Sequence, residues 1–180
     1  MKNLLLYLII TWAIFACNSQ EKASVNTFFD VKNLIQNQIK DLNARKPKVQ
    51  KTVTVNQKSE SHIIQDIDWS KELELFTQAD LNKTAYQQSY SRDTSYAQTL
   101  IYVLHTDEHL PIKTLRVAFD KAQKPTKIEA TIGSKNYLYE SEKHLTLIMT
   151  NGKLQAYDIE GFQQLALGKR EEFRIVGKVL

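Results

Sequence analysis

Two hydrophobic rhythms divide the chain. A period of three to four residues appears in two stretches of the first half, and a period of two takes over at Thr99 and runs to the C-terminus. In the first stretch Phe28, Val31, Ile35, Ile39 and Leu42, flanked by Leu34, predict a helix over about 27–44. Thr27-Phe28-Phe29-Asp30 has the form of a capping box that opens it, and Pro47 lies beyond its end. In the second stretch Asp68 can cap a helix that carries Trp69, Leu73, Phe76 and Ala79 on one face and ends near Lys83. Between them Val49, Lys51, Val53 and Val55 alternate with Gln50, Thr52, Thr54 and Asn56, which predicts a strand, and the polar residues 56–61 read as a turn. Residues 84–96 set Tyr86, Tyr90 and Tyr96 among Gln, Ser and Asp without a period and read as irregular.

The two-residue period predicts strands at about 99–105, 113–119, 126–132, 136–141, 144–150, 153–159, 162–167 and 172–179. Turn chemistry separates them at Asp120–Pro125, Gly133-Ser134, Gly161 and Gly168-Lys169. Asn151-Gly152 is the most specific of these signals, because a two-residue type I′ turn needs positive φ at both positions. That turn sets Met149 opposite Leu154, Leu147 opposite Ala156 and Leu145 opposite Asp158, so the first five of these apolar residues share one face. The reverse face then carries Thr146, Ile148, Gln155, Tyr157 and Ile159, and Ile148, Tyr157 and Ile159 become the candidate interaction face. The expected fold class is α+β: an antiparallel, largely meandering and curved sheet of about eight strands with two helices.

Ahead of both rhythms stands a block with no period. Lys2 is followed by an almost unbroken apolar run, Leu4 to Ala16, which stops at Cys17, the single cysteine of the chain. The run is shorter than the roughly 20 residues of a membrane span and fits a signal-peptide core. Ile14-Phe15-Ala16-Cys17 resembles the lipobox of bacterial lipoproteins. That resemblance implies cleavage before Cys17, diacylglycerol on its thiol and acylation of the new amine. The expected organisation is a signal peptide at 1–16, a lipidated tether at 17–26 and an α+β domain at 27–180. Acylation would also remove a lone thiol from an oxidising compartment and leave the domain to hold itself by its core. Residues 18–24 are polar and reach at most about 25 Å, which keeps the domain near its bilayer.

Composition adds little beyond this. Hydrophobic residues at 42% and charged residues at 24% are ordinary globular usage. Lys and Arg number 24 against 20 acids, a small surplus that favours weak attraction to anionic surfaces and gives no nucleic-acid signature. The stretch from Asp68-Trp69-Ser70-Lys71-Glu72-Leu73 through Leu81-Asn82-Lys83 to Glu160-Gly161-Phe162 resembles uncharacterised bacteroidete lipoproteins, in which a tryptophan-led helix precedes antiparallel strands. The resemblance implies fold and location and brings no activity with it. In those lipoproteins acids after the cysteine accompany surface display; here Glu21 stands alone, so the expected location is the outer membrane, facing the periplasm.

The sharpest catalytic motif is His105-Thr106-Asp107-Glu108-His109, which has the H-x-x-E-H form of inverzincins. Zinc binding there requires both imidazoles on one helical face, whereas a strand precedes His105 and Pro111 follows His109, so a loop is expected. His62 and His144 belong to no recognisable triad, and acid pairs such as Asp66/Asp68, Glu140/Glu142 and Glu171/Glu172 would need folding to converge. Lys121, Lys124 and Lys127, with Lys169 and Arg170, read as solvated basic turns. The function expected from sequence is a non-enzymatic binding or scaffold module without cofactor, held to the membrane by its lipid and working through an envelope protein partner. A carrier of an apolar ligand in a curved-sheet cavity is the alternative. A metal-dependent hydrolase using His105 and His109 is the third reading.

Overall fold

The computed structural model describes residues 27–180. Cys17 and the expected signal peptide and tether lie outside the described residues. Among those described, nine strands form one antiparallel sheet: β1 (Val49–Val55), β2 (Lys58–Ile64), β3 (Tyr90–Asp93), β4 (Thr99–Leu104), β5 (Ile112–Phe119), β6 (Pro125–Lys135), β7 (Tyr139–Thr150), β8 (Lys153–Leu165) and β9 (Glu171–Val179). Their order is β2-β1-β9-β8-β7-β6-β5-β4-β3, a seven-strand meander to whose last strand the N-terminal hairpin is added. The sheet is open, with β2 and β3 at its edges. Three helices accompany it: α1 (Val31–Arg45), α2 (Trp69–Glu72) and α3 (Glu74–Gln78). The α+β class and antiparallel meander stand, with nine strands and three helices in place of eight and two.

The differences have local causes. Asn56 and Gln57 both adopt positive φ, 46° and 71°, and Val55 pairs with Lys58. A two-residue turn therefore replaces the expected longer one, and β2 begins four residues earlier than a polar turn over 56–61 allows. Gln57 takes the left-handed conformation without the freedom of glycine, so the sequence carries no glycine cue for this hairpin. In the second half, predicted strands 136–141 and 144–150 are one continuous β7, and 153–159 and 162–167 are one β8. The stretch 84–96 is also ordered: Tyr86 and Tyr90 are core residues, and Tyr90 starts β3.

The helices lie on one face. Asp30, not Thr27, caps α1, its carboxylate accepting from the Asn33 N–H at 2.9 Å. Val31, Ile35, Gln38 and Leu42 make the buried stripe. Gln38 docks the helix on the β7–β8 turn, donating to the Gly152 carbonyl (3.0 Å) and accepting from the Leu154 N–H (2.8 Å). The second predicted helix breaks at Leu73 into α2 and α3, while Trp69, Leu73, Phe76 and Ala79 all stay buried. Asp68 caps α2 as expected, and the Lys71 N–H holds its carboxyl below the usual range.

Beneath these helices the sheet presents rows of apolar residues in register. Tyr102, Leu115, Ala130, Leu145 and Ile159 are successive cross-strand partners and all are buried. The next row runs Val117, Ile128, Leu147, Tyr157 and Gly177. Gly177 leaves the space in which the Tyr157 ring lies, and a Cβ there would fall inside that ring. Gly177→Ala is therefore expected to cost about 1–3 kcal/mol through overpacking. Urea denaturation checks it, with an unchanged midpoint counting against this packing.

Candidate functional site

A one-residue bulge decides which side chains of β8 are available for function. Met149 pairs with Leu154 as the Asn151-Gly152 turn requires, with φ of 52° and 75°. The next pair is Ile148 with Ala156, so Gln155 is an extra residue and every position beyond it changes face. Leu147 consequently opposes Tyr157, and Leu145 opposes Ile159.

This corrects the candidate interaction face. Tyr157 and Ile159 are 1% and 4% exposed and belong to the core, whereas Ile148 is 38% exposed on the opposite side of the sheet. The three residues do not share a surface. Alternation carried through from Asn151-Gly152 missed the bulge. The only cue was that Gln155 sits between Leu154 and Ala156, where strict alternation would have put Tyr157 and Ile159 in water.

Tyr157 instead ties the helix layer to the sheet. Its hydroxyl donates to Glu72 Oε1 at 2.5 Å, and Lys51 Nζ lies 2.7 Å from the same oxygen and 2.8 Å from Oε2. Lys51, Gly177 and Tyr157 are cross-strand neighbours on β1, β9 and β8, and Glu72 ends α2 above them. Burial, then the hydrogen bond and the charge of Glu72, push the Tyr157 phenol well above its ordinary value.

The face without helices carries the charged chemistry. One cross-strand row runs Thr54, Arg174, Glu160, His144 and Thr131. The row on one side holds Glu172, Phe162 and Glu142, and that on the other Val176, Asp158, Thr146 and Glu129. Arg174 grips Asp158 with two nitrogens, Nη2 to Oδ2 at 2.6 Å and Nε to Oδ1 at 3.1 Å, and its Nε lies 3.7 Å from Glu160. Both rings of contact around His144 are occupied: Nε2 is 3.0 Å from Glu142, and Nδ1 is 3.3 Å from the Thr131 hydroxyl. The Arg170 guanidinium lies 3.5 Å over the Phe162 ring and 3.3 Å from Glu172. Of these groups, Glu142, His144, Glu160, Phe162, Arg170, Glu172 and Arg174 line a hollow of about 340 Å³. Its lining sets Arg170 and Arg174 among Glu142, Glu160 and Glu172, so it offers a polar chain both donors and acceptors, with Arg170 on Phe162 as a flat platform.

Other sequence candidates lie elsewhere. His105 and His109 are in the β4–β5 loop, and His109 lines a separate hollow of about 440 Å³ with Lys113, Lys135 and Glu140. His62 is exposed on β2 beside Glu60. Lys121 and Lys124 occupy the β5–β6 turn, at the opposite end of the sheet from Lys169 and Arg170. Among the described residues no three His, Cys, Asp or Glu side chains converge as a metal-binding group, and no helix is long and apolar enough to cross a membrane. No protein-family model matches the chain, and no curated protein or solved structure matches it either.

The Tyr157 phenol gives a pH test of the clamp. A phenol whose pKa is higher in the folded protein contributes its stability in full below the unfolded value, about 10, and loses it as pH rises towards the folded value. Unfolding free energy should therefore decline above about pH 10, and less steeply in Tyr157→Phe. Tyr90, also raised by burial and by Tyr86 and Glu108, supplies part of the remaining decline. Equal slopes for wild type and variant in alkaline urea titrations would count against the Tyr157 clamp.

Proposed function

We propose that this protein is a membrane-anchored envelope lipoprotein acting as a non-enzymatic binding or scaffold module, with the bare face of its sheet as the recognition surface. One observation carries the reading. A single sheet has one face buried by helices and the other uncovered, and the uncovered face is patterned with paired charges around a hollow. Bulges at Lys113, Thr126 and Gln155 curve the sheet in this reading. Arg174, His144 and Arg170 are the residues through which it recognises an envelope protein, and Ile148 lies farther along the same face. The side of the sheet that an apolar carrier would need is filled by Trp69, Leu73 and Phe76, which favours the scaffold reading.

The anchor in this proposal is Cys17, lipidated within Ile14-Phe15-Ala16-Cys17, with the domain at the outer membrane facing the periplasm. Metabolic labelling with a palmitate analogue should mark the wild type and leave Cys17→Ala unlabelled and released from the membrane fraction. Equal labelling would end the lipoprotein reading.

The recognition face has its own test. A photo-cross-linker at Thr146, between Glu129 and Asp158, should capture an envelope protein in living cells. Arg174→Gln should lower that yield by about fivefold while changing stability by less than about 1 kcal/mol, since exposed ion pairs contribute no more than that. A yield that Arg174→Gln does not change would place recognition elsewhere on the protein.

A further inference from the structure

The three longest strands, β6, β7 and β8, run past their neighbours at one end of the sheet, and the loops that close them form a tip. Two loops make it: residues 136–138 between β7 and β6, and 166–170 between β8 and β9. The tip is fixed by hydrogen bonds. Ala166 donates to the Leu138 carbonyl at 2.9 Å, joining the loops, and the Asn136 side chain accepts from the Leu138 and Tyr139 N–H groups, both at 2.9 Å.

This rigid tip presents apolar side chains to solvent. Leu167 is 104% and Tyr137 87% exposed, with Leu165 at 63% and Leu138 at 56%. Residues 134–139 and 165–170 also carry Lys135, Lys169 and Arg170 and no acid. Glu140 pairs with Lys135 (3.0 Å) and Glu172 with Arg170 (3.3 Å), so those cations are balanced within the protein, while Glu171 accepts from Gln163 (3.3 Å) and Lys169 stands at the apex. Leucines and an amphipathic tyrosine at the apex, with Lys169 beside them, match the layering of an anionic bilayer: hydrocarbon, then interface, then phosphate.

We infer that the tip formed by Tyr137, Leu138, Leu165 and Leu167 inserts into the interface of anionic phospholipid membranes, with Lys169 at the headgroups. This contact is distinct from acylation at Cys17 and is not the bare-face hollow. It gives the protein a protein-made membrane contact that would orient the sheet towards the bilayer.

The test uses the full chain with Cys17→Ser, so that one new cysteine can be labelled. An environment-sensitive fluorophore on Leu167→Cys should shift to the blue, and be quenched by lipid-borne quenchers, on vesicles of equal parts phosphatidylcholine and phosphatidylglycerol. The same label on Ile63→Cys, an exposed residue of β2, should do neither. Lys169→Gln should weaken the response by about fivefold, the effect of one cation near an anionic surface. Tyr137→Ser should weaken it further, with the fold checked by an unchanged circular dichroism melt. No shift at Leu167, or equal shifts at Leu167 and Ile63, would overturn the inference. So would an equal response on pure phosphatidylcholine, or a shift without vesicles that grows with protein concentration and marks a second copy as the occupant.

Discussion

The contact on which the two layers depend is the Tyr157 side chain, laid across Gly177 and bonded at its hydroxyl to Glu72. The carboxylate comes from the end of α2, the ring from β8, the vacant space from β9, and the balancing cation, Lys51, from β1. Four elements from the two ends of the described chain meet in one partly buried polar group. Each member answers a need of another: the ring needs a neighbour without a side chain, the hydroxyl an acceptor, and the carboxylate a cation. Such a group fixes how the helices sit on the sheet, because an apolar contact tolerates sliding and a short hydrogen bond does not.

That arrangement exists because Gln155 is inserted into β8. Were Gln155 paired in the ladder instead of bulged out of it, Tyr157 would point into water and Ala156 would take its place in the core. The bulge thus does two jobs at once. It delivers the ring to the helix side, and it delivers Asp158 and Glu160 to the bare side, where they meet Arg174. The anchor of the core and the charge pattern of the candidate site are set by the same residue.

Much of the fold could be read from the chain. The helical stripe with Val31, Ile35 and Leu42, the Asp68 cap and the Asn151-Gly152 turn are local signals, and each is where the sequence puts it. The misses share one cause: they depend on pairing partners that a segment's own pattern does not reveal. The β2 strand has little apolar pattern of its own and exists because it pairs along all of β1. Gln38 looks like an interruption of a stripe until the backbone of Gly152 and Leu154 supplies its partners. The candidate site was the least legible part, because its charges come from three strands and become neighbours only in the final register. The interaction face drawn through Ile148, Tyr157 and Ile159 failed on a single residue of slippage, the error to which a two-residue period is most sensitive.

The outer edge at β2 has a consequence of a different kind. Lys58, Glu60 and His62 occupy the side of that strand on which Val49 and Ile64 face the core, and all three are exposed. A sheet edge with free backbone groups invites another chain to add a strand, and stacked edges grow into fibres. Here, a chain that extended the sheet would have to cover two opposite charges and an imidazole where the rest of the layer buries aliphatic side chains. The charges on β2 disfavour such an addition.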